Sequence, residues 1–167
     1  LPRAVSLASI QQLDRQRYPY LLDSVVQEYD EGEYSLLVAY PQEIMECASK
    51  DDTVGFFDEL AQRYSALQQT HAGIQLPFIG GWFVYLGYET VKGIEPTLEL
   101  PDFDHDYPVA FASRCPACII VDHKQQQTHC LAEAGFEELL PAMLSDVQSV
   151  LHSVPISAPL LGADVIE

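Results

Sequence analysis

The order of segments along this chain predicts an α+β fold, with largely antiparallel, mixed sheets flanked by helices. Three observations carry the prediction. Short runs rich in β-branched and aromatic residues end at proline, glycine or aspartate turns, as strands do. Two longer stretches repeat apolar residues at helical spacing. The two kinds of segment do not alternate regularly and no internal repeat stands out, which points to antiparallel pairing.

Leu7, Ile10 and Leu13 recur at helical spacing within Ser6 to Arg15, with Ser6 or Ser9 as the cap and Pro19 as the stop. Tyr20 to Val26 reads as a strand, buried on both faces over Leu21 and Leu22. Asp30-Glu31-Gly32-Glu33 is an acidic turn. Tyr34 to Tyr40 is the second strand of an antiparallel pair, ended by Pro41. Asp51, Asp52 and Thr53 offer an N-cap to a longer helix. Its stripe is Phe56, Phe57, Leu60, Ala61, Tyr64 and Leu67, opposite Asp58, Glu59, Gln62 and Arg63. Gln68 to Gln75 is a polar loop.

From Pro77 to Glu89, three glycines and five aromatics sit within thirteen residues. Glycine weakens a strand unless a backbone must pass close by, so the segment reads as a buried strand with special geometry at both ends. Gly80 and Gly81 permit a bulge, a positive φ or a close approach. Trp82, Tyr85 and Tyr88 supply packing surface for another domain.

Thr90 to Glu95 is a turn of helix, and Pro96 to Pro108 a loop. Val109 to Ala112 and Pro116 to Val121 are strands; a turn over Asp122 to Gln125 returns Gln127 to Ala132 as a hairpin. A last helix starts at Phe136 or Pro141 and runs to His152. Its apolar face holds Leu139, Leu140, Met143, Leu144, Val147, Val150 and Leu151, and Pro141 either sits in the first turn or kinks it. Ser153 onward reads as an extended linker. The organisation is thus a domain over 1–152 and a linker over 153–167 to a following domain that is missing here.

The 167 residues include 25 Asp and Glu against 8 Lys and Arg, for a net charge of -17. Phosphate backbones and anionic lipids would be repelled, so neither nucleic acid nor membrane is expected as a partner. No apolar run is long enough to span a bilayer. There is no secretory leader and no initiator methionine, so a processed product or an excised piece is expected. Cys47, Cys115, Cys118 and Cys130 read as reduced thiols in a cytoplasm.

Cys115-Pro116-Ala117-Cys118 would be a redox pair or half a zinc site, completed by His129, Cys130 or His123. It lies in a strand rather than at a helix N-terminus, and alternation puts the two thiols on opposite faces. Small buried hydrophobes are the expectation instead. Asp102-Phe103-Asp104-His105-Asp106 opens like a calcium loop, but Tyr107 replaces the needed glycine and Ser113 the needed glutamate. No nucleophile elbow or phosphate-binding loop occurs. His71, His105, His123 and His152 fall in loops or ends and face solvent; His129 lies in a hairpin strand. No catalytic residue and no metal ligand is assigned.

Pro77-Phe78-Ile79-Gly80-Gly81 with Gly87-Tyr88-Glu89 resembles the P-F-x-G-G … G-Y-[DE] signature of the N-terminal domain shared by anthranilate synthase component I and aminodeoxychorismate (para-aminobenzoate) synthase component I. Tyr20-Leu21-Leu22-Asp23-Ser24 is similar to the family's L-L-x-S strand, Tyr34 to Pro41 to its R-[FY]-D-L-L-x-A-x-P strand, and Cys115 to His123 to its segment ending in a D-H turn. The likeness covers Ser6 to His152. The A-x-P ending and Leu100-Pro101-Asp102 lean towards the aminodeoxychorismate branch.

The resemblance implies a non-catalytic N-terminal domain, inactive alone. The whole enzyme would aminate chorismate to 4-amino-4-deoxychorismate on the way to para-aminobenzoate and folate, with ammonia from a glutamine amidotransferase subunit. Magnesium and the reactive groups would belong to the missing C-terminal chorismate-binding domain. It also implies a tryptophan pocket, carried here by Leu22, Ser24 and Tyr34: a hydroxyl for the amino acid and two walls for the indole. Glu33 and Ser35 replace the family's basic residue and aspartate beside Tyr34. Gly80, Gly81, Gly87, Tyr88 and Glu89 are the structural signature. The alternatives are the tryptophan-feedback domain of anthranilate synthase component I and a stand-alone acidic ligand-binding module.

Overall fold

The computed structural model describes residues 4–24, 33–67, 75–95, 97–99 and 107–153. Expectations placed on Val25 and Val26, the calcium-like segment, Leu100-Pro101-Asp102, His71, His105 and the linker beyond Ser153 lie outside the described residues. Strands β1 (Tyr20–Leu22), β2 (Tyr34–Ala39), β6 (Ala117–Asp122) and β7 (Gln127–Ala132) form a four-stranded sheet in that order. Strands β3 (Ile44–Cys47), β5 (Ala110–Cys115) and β4 (Gly81–Leu86) form a three-stranded sheet in that order. The helices are α1 (Leu7–Leu13), α2 (Thr53–Ala66), α3 (Val91–Ile94) and α4 (Leu140–Ser153). The expected α+β class is what the chain adopts, and every pairing among the described strands is antiparallel. No described helix is long and apolar enough to cross a membrane.

Helices α1 and α4 cover one face of the four-stranded sheet. Leu7 and Ile10 from α1 and Met143, Val147 and Val150 from α4 meet Leu37, Ala39, Ala117, Ile119 and Val121. These strand residues alternate along β2 and β6, so one face of the sheet enters the core. Burying each leucine, isoleucine, valine or methionine of this set is worth about 1.5–3 kcal/mol. Helix α2 lays Phe56, Phe57 and Leu60 on Met45, Cys47, Ala110, Ala112 and Trp82 of the other sheet. Only Pro116 separates β5 from β6, so one extended run leaves the three-stranded sheet and enters the four-stranded one. Proline has no N–H for a ladder, and the Pro116 carbonyl accepts from the Glu133 N–H at 2.9 Å.

Several elements depart from expectation for identifiable reasons. Helix α1 is capped by Ser6, whose Oγ accepts from Ser9 N–H at 3.2 Å. It stops well before Pro19, because Asp14 Oδ1 accepts from the Gln16 and Arg17 N–H groups at 3.0 and 2.9 Å and turns the chain. The N-cap position of α2 is Asp52, within the expected Asp51–Thr53 trio, but its side chain makes no cap hydrogen bond; Ser49 Oγ caps the preceding turn, accepting from Asp51 N–H at 3.2 Å. The far end of the α2 stripe, Tyr64, is exposed. Pro141 lies in the first turn of α4, where no amide donor is needed. Strand β3 carried no sequence signal. The glycine-aromatic strand β4 is an edge strand rather than a buried one, and its Val84, Tyr85 and Leu86 are exposed.

Candidate functional site

Leu22 ends β1 and pairs with Leu36, so continuing the register sets Ser24 across from Tyr34 at the start of β2. All three therefore belong to the sheet face opposite the α1–α4 core. Leu22 is 50% exposed rather than buried on both sides as expected, because β1 is the edge of its sheet. Tyr34 and Ser24 are half-buried. The Tyr34 phenol is held above its ordinary pKa by a hydrogen bond to the Glu33 side chain and then by desolvation. On the same face, Tyr20 stacks on Phe83 of β4, ring centroids 4.0 Å apart and 3° from parallel. Phe83 meets Phe111 at 6.0 Å, and Phe111 meets Tyr85 at 5.4 Å. An aromatic ladder thus links the two sheets next to the three candidate residues.

A polar network missed by the sequence reading pins the end of β1. Ser35 Oγ donates to Asp23 Oδ1 at 2.8 Å, accepts from Ser24 N–H at 3.0 Å and meets His123 Nε2 at 2.7 Å. The single hydroxyl proton is committed to Asp23, so His123 donates from Nε2. His123, expected to face solvent, is half-buried and its own N–H donates to the Glu33 carbonyl at 2.8 Å. The only sequence signal was the coincidence of a serine at the family's aspartate position with the histidine of the D-H turn; their contact spans two strands and could not be seen.

The glycine signature acquires a cause. A Cβ on Gly80 would collide with the Glu133 carboxylate, and Gly81 has φ +139°, which side chains rarely adopt. Glu133 is there because it forms a buried ion pair with Arg114, whose Nη1 also donates to the Gly81 carbonyl at 3.1 Å. A Cβ on Gly87 would stand 2.8 Å from the Val109 carbonyl oxygen, so the backbones approach too closely for a side chain. Tyr88 is 74% exposed and Glu89 half-buried beside it. Trp82 packs against α2 rather than facing outward with Tyr85 and Tyr88.

The C-x-x-C pair straddles two sheets, with Cys115 ending β5 and Cys118 in β6, because Pro116 breaks the run assumed to be one strand. Cys118 Sγ donates to the Phe78 carbonyl at 3.4 Å. Burial pushes the Cys115 and Cys118 thiols up, and Cys130 up to about 11. These are neutral thiols and poor nucleophiles. Among the described residues, no three His, Cys, Asp or Glu side chains come together to hold a metal ion.

Two antiparallel sheets joined through a single proline, each backed by helix, define an α+β domain. The solved structure of anthranilate synthase component I from Streptococcus pneumoniae TIGR4 shares this fold with a TM-score of 0.53 and 21% identity. The match covers 81% of this chain and 32% of that one, so the chain spans about a third of its neighbour's length. No family model and no curated protein matches the chain.

Proposed function

We propose that this chain is the non-catalytic N-terminal domain of a chorismate-utilising enzyme, and within that class of aminodeoxychorismate synthase component I. The fold shared with a segment of anthranilate synthase component I carries the reading. The glycine signature supports it, since Gly80, Gly81 and Gly87 each meet a physical demand for glycine. In this reading the chorismate site, its magnesium and the amidotransferase contact lie outside this chain. No chemical step is routed through the residues of this chain. The four free cysteines accord with a cytoplasmic setting.

Leu22, Ser24 and Tyr34 contribute one wall of a tryptophan pocket, closed from the side by the Tyr20–Phe83 stack. The network of Ser35, Asp23 and His123 sets the angle at which Ser24 leaves β1. The second reading, the feedback domain of anthranilate synthase component I, is favoured by the identity of the solved neighbour. The test is an assay of the full-length polypeptide encoded with this segment, supplied with chorismate, magnesium and ammonia. Formation of 4-amino-4-deoxychorismate supports the first reading and anthranilate the second; turnover of chorismate by this segment alone, or by neither protein, overturns both. Calorimetry of the full-length protein with tryptophan, repeated with Ser24→Ala, tests the pocket.

A further inference from the structure

Beside the glycine signature, on the far side from the Arg114–Glu133 pair, lies a cavity of about 430 Å³ lined by Tyr85, Tyr88, Tyr107, Glu89 and Val109. We propose that this cavity binds an organic cation, an ammonium or guanidinium group held between tyrosine rings and the Glu89 carboxylate. Three features of the molecule support the site independently.

The lining is the first. Aromatic faces carry negative potential and attract a cation within about 6 Å of the ring centre. Tyr88 and Tyr107 are 74% and 81% exposed, so neither ring is committed to the core. Tyr85 is oriented from behind by its stack on Phe111 at 5.4 Å.

The carboxylate is the second. Glu89 is half-buried, yet among the described residues its carboxylate has no hydrogen-bond or ion-pair partner. Partial withdrawal from water without a partner is unfavourable, and a bound cation removes that penalty. The net charge of -17 raises the local concentration of cations and disfavours anionic ligands.

The third is Gly87. A Cβ there would stand 2.7 Å from Glu89 Oε2 and 3.6 Å from the Tyr85 hydroxyl. The missing side chain is therefore what leaves room between the carboxylate and the ring. The floor is rigid: Gly87 N–H donates to the Val109 carbonyl at 2.8 Å, and Thr90 Oγ1 donates to the Gly87 carbonyl at 2.7 Å. The site stands on these residues whichever enzyme the chain belongs to.

The cation could arrive as a free metabolite or as a lysine or arginine side chain of a protein partner, and the experiment separates the two. The full chain, labelled with carbon-13 in its tyrosine rings, is titrated with choline, arginine methyl ester, 3,3-dimethylbutan-1-ol as the neutral isostere of choline, and a capped Gly-Arg-Gly peptide. Saturable shifts confined to a few tyrosines are expected with the cations, and about tenfold weaker binding of the alcohol. Glu89→Gln and Tyr88→Leu, each checked for native circular dichroism, should weaken cation binding about tenfold. Tighter binding of the peptide assigns the source to a protein side chain; equal or tighter binding of the free cations assigns it to a small molecule. Equal binding of the neutral alcohol, unchanged affinity in the folded variants, or no saturable response to any cation overturns the proposal.

Discussion

The guanidinium of Arg114, on β5, is ion-paired with the carboxylate of Glu133, just past β7, and both side chains are buried. One belongs to the three-stranded sheet and the other to the end of the four-stranded sheet, so the pair clasps the two layers. Arg114 also holds the Gly81 carbonyl, and Glu133 fills the space above Gly80. The paired glycines, the buried charges and the join between sheets are one arrangement.

Removing one partner leaves the other charge buried. Glu133→Ala should therefore lower stability by about 3–5 kcal/mol, whereas replacing both partners by apolar residues, Arg114→Met with Glu133→Leu, should cost less. Urea denaturation of the three proteins checks this. A double variant as unstable as Glu133→Ala would show that packing rather than charge governs the clasp.

Gly80→Ala forces a methyl group into the Glu133 carboxylate. Its penalty should shrink when Glu133 is also shortened, with a coupling of about 0.5–3 kcal/mol in a double-mutant cycle of Gly80→Ala and Glu133→Ala. Simple additivity of the two losses would mean that Glu133 is not what demands the glycine.

Tyr18 is fully buried on the α4 side of the core and donates its hydroxyl to Asp146 at 2.7 Å, beside Arg17 Nη1 at 2.7 Å from the same oxygen. Burial, then the Asp146 contact, raises its pKa far above the ordinary 10.0. Above that value the unfolded chain releases this proton while the folded chain keeps it. The contribution is thus complete below pH about 10 and falls by up to about 1.4 kcal/mol per further pH unit. Unfolding free energies between pH 8 and 11 should decline less steeply for Tyr18→Phe than for the native chain. Parallel slopes would remove Tyr18 from the alkaline transition.

Ser35→Ala withdraws the shared partner of Asp23, Ser24 N–H and His123 at once. A loss of about 1–3 kcal/mol is expected, together with faster amide exchange at Ser24, read by hydrogen-exchange NMR. Unchanged exchange at Ser24 would separate the network from the proposed tryptophan wall.

Much of the fold could be read in advance where the pattern is local. The α4 stripe of Met143, Val147 and Val150 became core, and the hairpin through Asp122 formed as spaced. Strand β3 was invisible because its four residues, Ile44–Cys47, do not alternate apolar and polar: the outward-facing Ile44 is as apolar as the buried Met45. The burial assigned to β4 failed because a run of Trp82, Phe83, Val84 and Tyr85 has the same composition at a sheet edge as at its centre; only the pairing order distinguishes them. At the candidate site, Leu22, Ser24 and Tyr34 were named from a motif, while Asp23, Ser35 and His123 became partners only across strands.

Local chemistry was thus settled by residue order alone: which segments turn, which face of a helix is apolar, where glycine is obligatory. Tertiary structure decided which distant charges meet, why Gly80 tolerates no side chain, and which aromatic rings remain open to solvent. The reason is physical. Periodicity reports on neighbours within a few residues, whereas the Arg114–Glu133 and Ser35–His123 contacts join groups brought together by antiparallel strand pairing.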